Sequence, residues 1–250
     1  MIESIRVMEM FRKNFIVGQC LILAFLSLAS TVGTPQVDVE EVVEEVARRL
    51  KATSRQLPDF LCREKITLDA WRSHRRGSWS LEGAFEFRFS RRFGEERVPE
   101  TEEDEKMIEK VLILGGVFPV LYSTFLSGPS EGRRFEGERQ GDSYWLTFDV
   151  PVEESEVVLM LEGGDVKLGY KGKVKIDAES YQPLRLEWSV TTKTSRLHEA
   201  KHKLTYHPVQ IGTNTFYLPK EQNLLLYYGN IWYRTKHTYD HYKHFTVQIP

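Results

Sequence analysis

The chain has few cysteines, no long hydrophobic run and almost no net charge, and each shortage excludes a class of protein. Only Cys20 and Cys62 occur in 250 residues, so a fold held together by several disulfides is excluded. The longest uninterrupted apolar run covers residues 21–26, well below the about 20 residues that a membrane-spanning helix needs. A formal net charge of −2 gives no overall electrostatic footprint for nucleic acid or for an anionic membrane surface.

The short motifs that hold phosphates, dinucleotides and redox centres are also missing. The chain contains no G-x-x-x-x-G-K-[ST], no G-x-G-x-x-G and no C-x-x-C. Nucleotide and disulfide chemistry therefore lack their usual carriers, and the sequence predicts no cofactor.

The first residues carry the three parts of a secretory signal peptide. Arg12 and Lys13 precede an apolar stretch over residues 15–28, and small side chains follow it. This order predicts export, with a signal peptide over residues 1–33 that is cleaved after Ala29 or Gly33. An uncleaved membrane anchor is the alternative. The predicted location is the periplasm or the cell exterior, and a single domain over residues 34–250 is expected to follow.

After the predicted signal peptide, the apolar residues recur first at helical spacing and then at every second position, as in a strand. Apolar residues recur at helical spacing from Val39 to Leu50, behind Asp38 as the N-cap. Two short helices are also predicted: one capped by Thr101 and Asp104 that carries Met107, Ile108, Val111 and Leu112, and one over residues 118–126. Aromatic residues alternate with polar ones over residues 79–89, and further alternating segments follow from residue 134 onward. The pattern predicts an α+β fold in which helices pack across one face of a large curved antiparallel sheet.

One motif suggests metal chemistry. His198, Glu199 and His202 match H-E-x-x-H, which on a helix binds zinc and uses the glutamate as a general base. Residues 191–194 and 204–206 favour a strand instead, in which the two histidines would share a face about 13 Å apart. A secreted zinc-dependent hydrolase using these three residues is therefore kept as a rival hypothesis, while no metal ligand is predicted.

Three other candidate sites have simpler explanations. Ser130 lies in a G-x-S-x-G pattern, but a predicted helix precedes it and a strand follows, the reverse of a hydrolase nucleophile turn. Cys62 is predicted to be a buried, unreactive thiol because apolar residues precede it. The acidic residues 95–105 lack the spacing of a calcium loop and are predicted to form a solvated loop that interrupts the sheet.

Several segments together resemble a known family. They are the helix ending in LPDFLC (57–62), the hairpin over residues 170–186, the run 206–219 and the ending YKHF (242–245). These segments resemble exported bacterial proteins of the outer-membrane-lipoprotein-sorting (LolA-like) type, particularly those of acidobacteria. The resemblance implies an unclosed antiparallel β-barrel with two or three helices across its concave apolar face, which holds acyl chains in carrier relatives.

The leading hypothesis is an exported, non-enzymatic binding or carrier module for a lipid or a lipidated partner. Its expected partners are lipid or lipoprotein acyl chains, with peripheral contact to the envelope and no nucleic acid. An alternative is a structural envelope protein that fills its own cavity and binds no ligand. The candidate lining of the concave face is Phe85, Phe87, Phe89, Leu184, Leu186 and Trp188.

Overall fold

Two α-helices and twelve strands form most of the chain that the structure describes. This computed structural model describes residues 38–72, 75–90, 94–108, 134–155, 158–161 and 164–245. The helices are α1 (Val39–Gln56) and α2 (Glu102–Ile108). A single 3-10 turn, Val152–Glu154, follows the fifth strand. The strands are β1 (Phe60–Arg72), β2 (Arg75–Ser90), β3 (Gly94–Pro99), β4 (Arg134–Gln140), β5 (Ser143–Val150), β6 (Val158–Leu161), β7 (Gly164–Lys167), β8 (Tyr170–Asp177), β9 (Pro183–Val190), β10 (Leu197–Ile211), β11 (Asn214–Tyr228) and β12 (Ile231–His244).

Ten strands form one antiparallel sheet, in the order β3-β2-β1-β12-β11-β10-β9-β8-β5-β4. The strands β6 and β7 pair separately. Because β3 and β4 stand at opposite ends of the order, the sheet is open. The predicted large antiparallel sheet is therefore confirmed. β1, the first strand along the chain, pairs with β2 on one side and with β12, the last strand along the chain, on the other.

The sheet has one apolar and one polar face. Alternate residues of β1 are buried, beginning with Phe60 and Cys62. The residues paired with them on the neighbouring strands lie on the same side of the sheet, so the buried side chains form one continuous face. We call it the apolar face; it holds Leu146, Val174 and Leu186, which are paired in one row. The opposite side, the polar face, carries mostly charged side chains, because successive residues of a strand point to opposite faces.

The two described helices contact strands near opposite ends of the sheet. The Asp38 carboxylate accepts the Glu41 backbone N–H at 3.2 Å, as the predicted N-cap requires, and the buried valines of α1 join the main core. The main strand contact of α1 is with β4, whereas α2 contacts β2 and β3 and buries Met107 against Phe85. The predicted packing of two or three helices across a concave face is not confirmed.

Three strand predictions were wrong in detail. The sequence predicts separate strands over residues 215–218 and 224–234, but β11 runs unbroken from Asn214 to Tyr228, because Lys220 is accommodated in a bulge opposite β10. The turn between β11 and β12 lies instead at Gly229, whose φ of 61° is a conformation that glycine adopts without strain. Residues 95–105 were expected in a solvated loop, but residues 94–99 form the edge strand β3 and residues 102–108 form α2.

Several predictions concern residues outside the described part of the chain. These are the signal peptide over residues 1–33, the helix over residues 118–126 and the G-x-S-x-G pattern at residues 128–132. Among the described residues, no helix combines the length and apolarity that spanning a bilayer requires.

Candidate functional site

Most of the predicted lining residues lie on the apolar face, where they are packed into its core. Phe87, Leu186 and Trp188 belong to the main core cluster, and Phe89 packs against it while half-buried. Phe85 is buried in a second cluster. The remaining candidate, Leu184, is half-buried and lies where the pairing of β8 with β9 shifts register, outside the core clusters.

Trp188 and His202 form a polar pair within this apolar face. They are directly paired on β9 and β10, and their ring centroids are 5.3 Å apart. Trp188 Nε1 and both ring nitrogens of His202 are buried and have no hydrogen-bond partner among the described residues. Leaving a buried polar group unpaired costs about 1 to 3 kcal/mol. The pair therefore offers a ligand three hydrogen-bonding atoms that no described residue uses.

The His202 ring is uncharged at neutral pH. Burial lowers its pKa to about 3, because an imidazolium loses the stabilisation that water would give it. A neutral imidazole carries one donor and one acceptor nitrogen, and the Trp188 indole carries a donor. This combination suits a neutral polar group, such as a carbonyl, a hydroxyl or an amide, rather than an anion.

A glycine allows the aromatic rings around this pair to crowd together. Gly172 separates Phe148 from Trp188 in one cross-strand row. A Cβ atom at Gly172 would lie only 2.7 Å from the Phe148 ring and 2.7 Å from Trp188 Cβ. Tyr170, with its ring centroid 5.6 Å from that of Trp188, extends the aromatic cluster.

A buried ionic network occupies the apolar face nearer to β3. Arg97 donates to both oxygens of Glu64, from Nε at 2.6 Å and from Nη2 at 3.2 Å. His237 Nδ1 lies 2.7 Å from Glu64 Oε1 and must be the donor, because a carboxylate can only accept. Burial raises the pKa of Glu64, but the hydrogen bond from His237 and the Arg97 charge outweigh it, so the net shift is downward. Since all three groups are paired, we regard the network as structural.

The H-E-x-x-H residues do not converge on a metal. They lie on β10, so the prediction of a strand rather than a helix is confirmed. The expectation that His198 and His202 share a face was wrong, because a register shift at His198 leaves that residue exposed while His202 is buried. In the described ranges, no group of three or more His, Cys, Asp or Glu side chains could hold a metal ion.

Cys62 is free and buried, as predicted. Burial and the nearby Glu64 charge raise the pKa of its thiol to about 12. The thiolate, which is the reactive form, is therefore scarce at neutral pH.

A groove crosses the polar face, and sequence reasoning missed it. It has a volume of about 740 Å³ and extends over β4, β5, β8, β9 and β10. Its floor follows the row of Phe148, Gly172, Trp188 and His202, whose side chains point to the apolar face, and charged side chains of the neighbouring rows form its walls. The repeated Lys-x-Lys pattern in β8 and β10 was the available signal, since such lysines share a face.

Comparisons with known proteins give structural matches only. No protein-family model and no curated protein matches this sequence. A putative outer membrane lipoprotein-sorting protein domain from Vibrio parahaemolyticus matches with a TM-score of 0.39 and 13% identity, over 82% of this chain and 92% of that one.

Two further solved structures match at lower identity. A LolA superfamily protein from Nitrosomonas europaea has a TM-score of 0.32 and 6% identity, over 85% of this chain and 96% of that one. A DUF1329 family protein from Desulfovibrio piger has a TM-score of 0.33 and 8% identity, with the same coverage, 85% and 96%. No residue role is transferred at these values. The first two names agree with the predicted resemblance, so the chain is similar to proteins of the lipoprotein-sorting, LolA-like type.

Proposed function

We propose that the chain is an exported, non-enzymatic binding or carrier module for a lipid or for the acyl chain of a lipidated partner. In this proposal a signal peptide over residues 1–33 directs it to the periplasm, and the cargo binds on the apolar face. The proposed lining is the predicted set with the addition of His202: Phe85, Phe87, Phe89, Leu184, Leu186, Trp188 and His202.

The unpaired atoms of Trp188 and His202 carry the proposal. They lie within an apolar face, so a ligand that pairs with them there must combine a hydrocarbon part with a neutral polar group. Ester and amide linkages of acyl lipids have this composition. Each hydrogen bond of this kind contributes about 0.5 to 1.5 kcal/mol, and each buried methylene about 0.8 kcal/mol. The acyl chain thus supplies most of the binding free energy, and the hydrogen bonds to Trp188 and His202 fix where the lipid's ester or amide group lies.

Native mass spectrometry of protein purified without detergent tests the proposal. We expect lipid adducts, and we expect their removal to lower the melting temperature, since a ligand at a hundred times its dissociation constant stabilises the fold by about 2.7 kcal/mol. Trp188→Phe and His202→Leu each remove hydrogen-bonding atoms and should weaken adduct binding about 2- to 12-fold.

The chain offers a matched control for each variant. Trp145→Phe changes a half-buried tryptophan of the same sheet on its polar face, and His198→Leu changes an exposed histidine of the same strand. Both controls should retain the adducts. Equal losses in variants and controls, or stripped and unstripped protein of the same mass and melting temperature, would overturn the proposal in favour of a structural protein without cargo.

The proposed export has its own test. The intact mass of the protein from the periplasmic fraction should correspond to a chain that begins at Ser30 or Thr34. Protein that still carries residues 1–29 would contradict a soluble periplasmic carrier and leave a membrane anchor.

A further inference from the structure

Four lysines form a frame at the centre of the polar face. Lys171 and Lys173 lie on β8, and Lys201 and Lys203 lie on β10, with β9 between them. The register places Ser189 between Lys171 and Lys201. Adjacent strands are about 4.8 Å apart and residues two apart on a strand are about 7 Å apart, so the frame measures about 10 by 7 Å. We call these four residues the lysine frame.

The frame retains positive charge despite neighbouring carboxylates. Lys173 Nζ lies 3.5 Å from Glu187, and Lys201 Nζ lies 2.6 Å from Glu199. Glu187 also pairs with Arg185. Exposed ion pairs of this kind contribute little and exchange easily with other partners. Lys171 and Lys203 form no ion pair with any described residue.

The positive charge of the lysine frame is local. It is compatible with a net charge of −2 for the whole chain, because acidic residues elsewhere balance it. The groove also holds Glu136 on β4 and Asp149 on β5, and Asp149 is the cross-strand partner of Lys171. The helices are acidic in their first turns, including Glu40 and Glu41 of α1. Over residues 171–175, 185–189 and 199–203, six lysine and arginine side chains accompany only Glu187 and Glu199, so this part of the sheet is net positive.

A tryptophan beside the frame favours a membrane as the partner. Trp145 is half-buried on the same polar face, and the ammonium groups of Lys173 and Lys175 lie 5.2 Å and 5.9 Å from its ring centroid. Tryptophan is enriched at the headgroup level of membranes, where its ring contacts both apolar and polar surroundings. An acidic protein segment would also form ion pairs with the lysines, but contact with the Trp145 ring would contribute less to its binding than to binding of a membrane.

We propose that the lysine frame docks the polar face onto anionic phospholipid headgroups at a membrane surface. A phosphate over Ser189 would lie within reach of the four flexible lysine stems, which bind phosphate as point charges. The groove gives the headgroup a volume of about 740 Å³. The proposal does not depend on the cargo, because the frame and the apolar face are on opposite sides of the sheet.

Vesicle sedimentation tests the docking. We expect the full-length protein to bind vesicles of phosphatidylcholine with phosphatidylglycerol at about 0.1 M salt, and not vesicles of phosphatidylcholine alone. Each lysine near an anionic surface contributes about fivefold to binding. Lys171→Ala combined with Lys203→Ala should therefore weaken binding about 30-fold, and Glu187→Gln should strengthen it.

The matched control removes two positive charges elsewhere. Lys51 on α1 and Lys220 in the β11 bulge are both exposed, so Lys51→Ala combined with Lys220→Ala should leave vesicle binding unchanged. Circular dichroism checks that all variants are folded. Lipid adducts in native mass spectrometry should persist in the Lys171 and Lys203 double variant, so failure of docking is distinguishable from failure of the cargo proposal.

Four results would overturn the docking proposal. The first is equal binding to anionic and neutral vesicles. The second is equal loss of binding in the two double variants, which would indicate a response to total charge alone. The third is frame-dependent binding of inorganic phosphate without vesicle binding, which would indicate a site for a free anion. The fourth is frame-dependent binding of polyglutamate without vesicle binding, which would indicate an acidic protein partner.

Discussion

Two arginine–glutamate pairs in this sheet have the same geometry and opposite environments. Arg97 donates to Glu64 through Nε and Nη2 on the apolar face, and Arg63 donates to Glu100 through the same atoms, at 2.9 Å and 3.0 Å. The side chains of the first pair are 12% and 0% exposed, and those of the second are 42% and 40% exposed. The two pairs differ mainly in burial, and Glu64 additionally accepts a hydrogen bond from His237.

We predict that Arg97→Met lowers the free energy of unfolding by about 3 to 5 kcal/mol at pH 7, because it leaves the buried Glu64 carboxylate without its cation. The exposed Glu100 is solvated after Arg63→Met, so that variant should lose at most about 1 kcal/mol. Urea unfolding followed by circular dichroism measures both values in the same buffer.

The difference should depend on pH in a defined direction. In the wild type the pKa of Glu64 is held below its ordinary value of 4.5, so the paired carboxylate stabilises the fold above that pH and the contribution is lost on further acidification. Arg97→Met removes one of the groups that lower the pKa of Glu64 while the effect of burial remains, so we expect this pKa to rise. Protonation of Glu64 in the variant then removes the buried charge. The difference in free energy of unfolding between the wild type and Arg97→Met should therefore become smaller between pH 7 and pH 4.

A second substitution checks the cause. Glu64→Gln added to Arg97→Met removes the uncompensated charge but keeps an oxygen acceptor for His237, so the double variant should regain most of the lost stability. Equal destabilisation by Arg97→Met and Arg63→Met, or no recovery in the double variant, would refute the reasoning.

Other positions give further predictions. In a Cys20→Ser background, Cys62 should react with maleimide at pH 8 only after unfolding; fast labelling of the native protein would contradict its burial and raised pKa. Gly172→Ala should lower the free energy of unfolding by about 1 to 3 kcal/mol, because its Cβ would lie 2.7 Å from Trp188 Cβ; an unchanged urea midpoint would contradict this. Because the pKa of His202 is lowered to about 3, the wild type should lose stability as the pH falls below 6.5, and His202→Leu should flatten that dependence; parallel pH profiles would contradict the assignment.

The sequence predicted the features that depend on neighbouring residues. Asp38 and the helical spacing after it located α1, because capping and amphipathic periodicity are local. Alternation located β2 and placed Phe85 and Phe87 on a buried face. The burial of Cys62 was predicted from the apolar residues that precede it.

The features that were missed depend on how distant strands pair. His237 meets Glu64 across 173 positions of sequence, and no local pattern indicates that pairing. The bulges at His198 and Lys220 change which side chains share a face, and they result from matching one strand to another. The lysine frame likewise exists only because β9 brings β8 and β10 into register.

The position of β12 between β1 and β11 also sets the order in which the chain can fold. The hairpin of β1 and β2, with β3 at its edge, joins the rest of the sheet only through this last strand. The ion pair of Arg234 with Asp69 spans 165 positions across that junction, and bringing such distant segments together is slow. A chain of this topology that crosses a membrane from its N-terminus cannot complete the sheet until its C-terminal strand has emerged. Loss of β12 would therefore divide the sheet into two parts rather than shorten its edge.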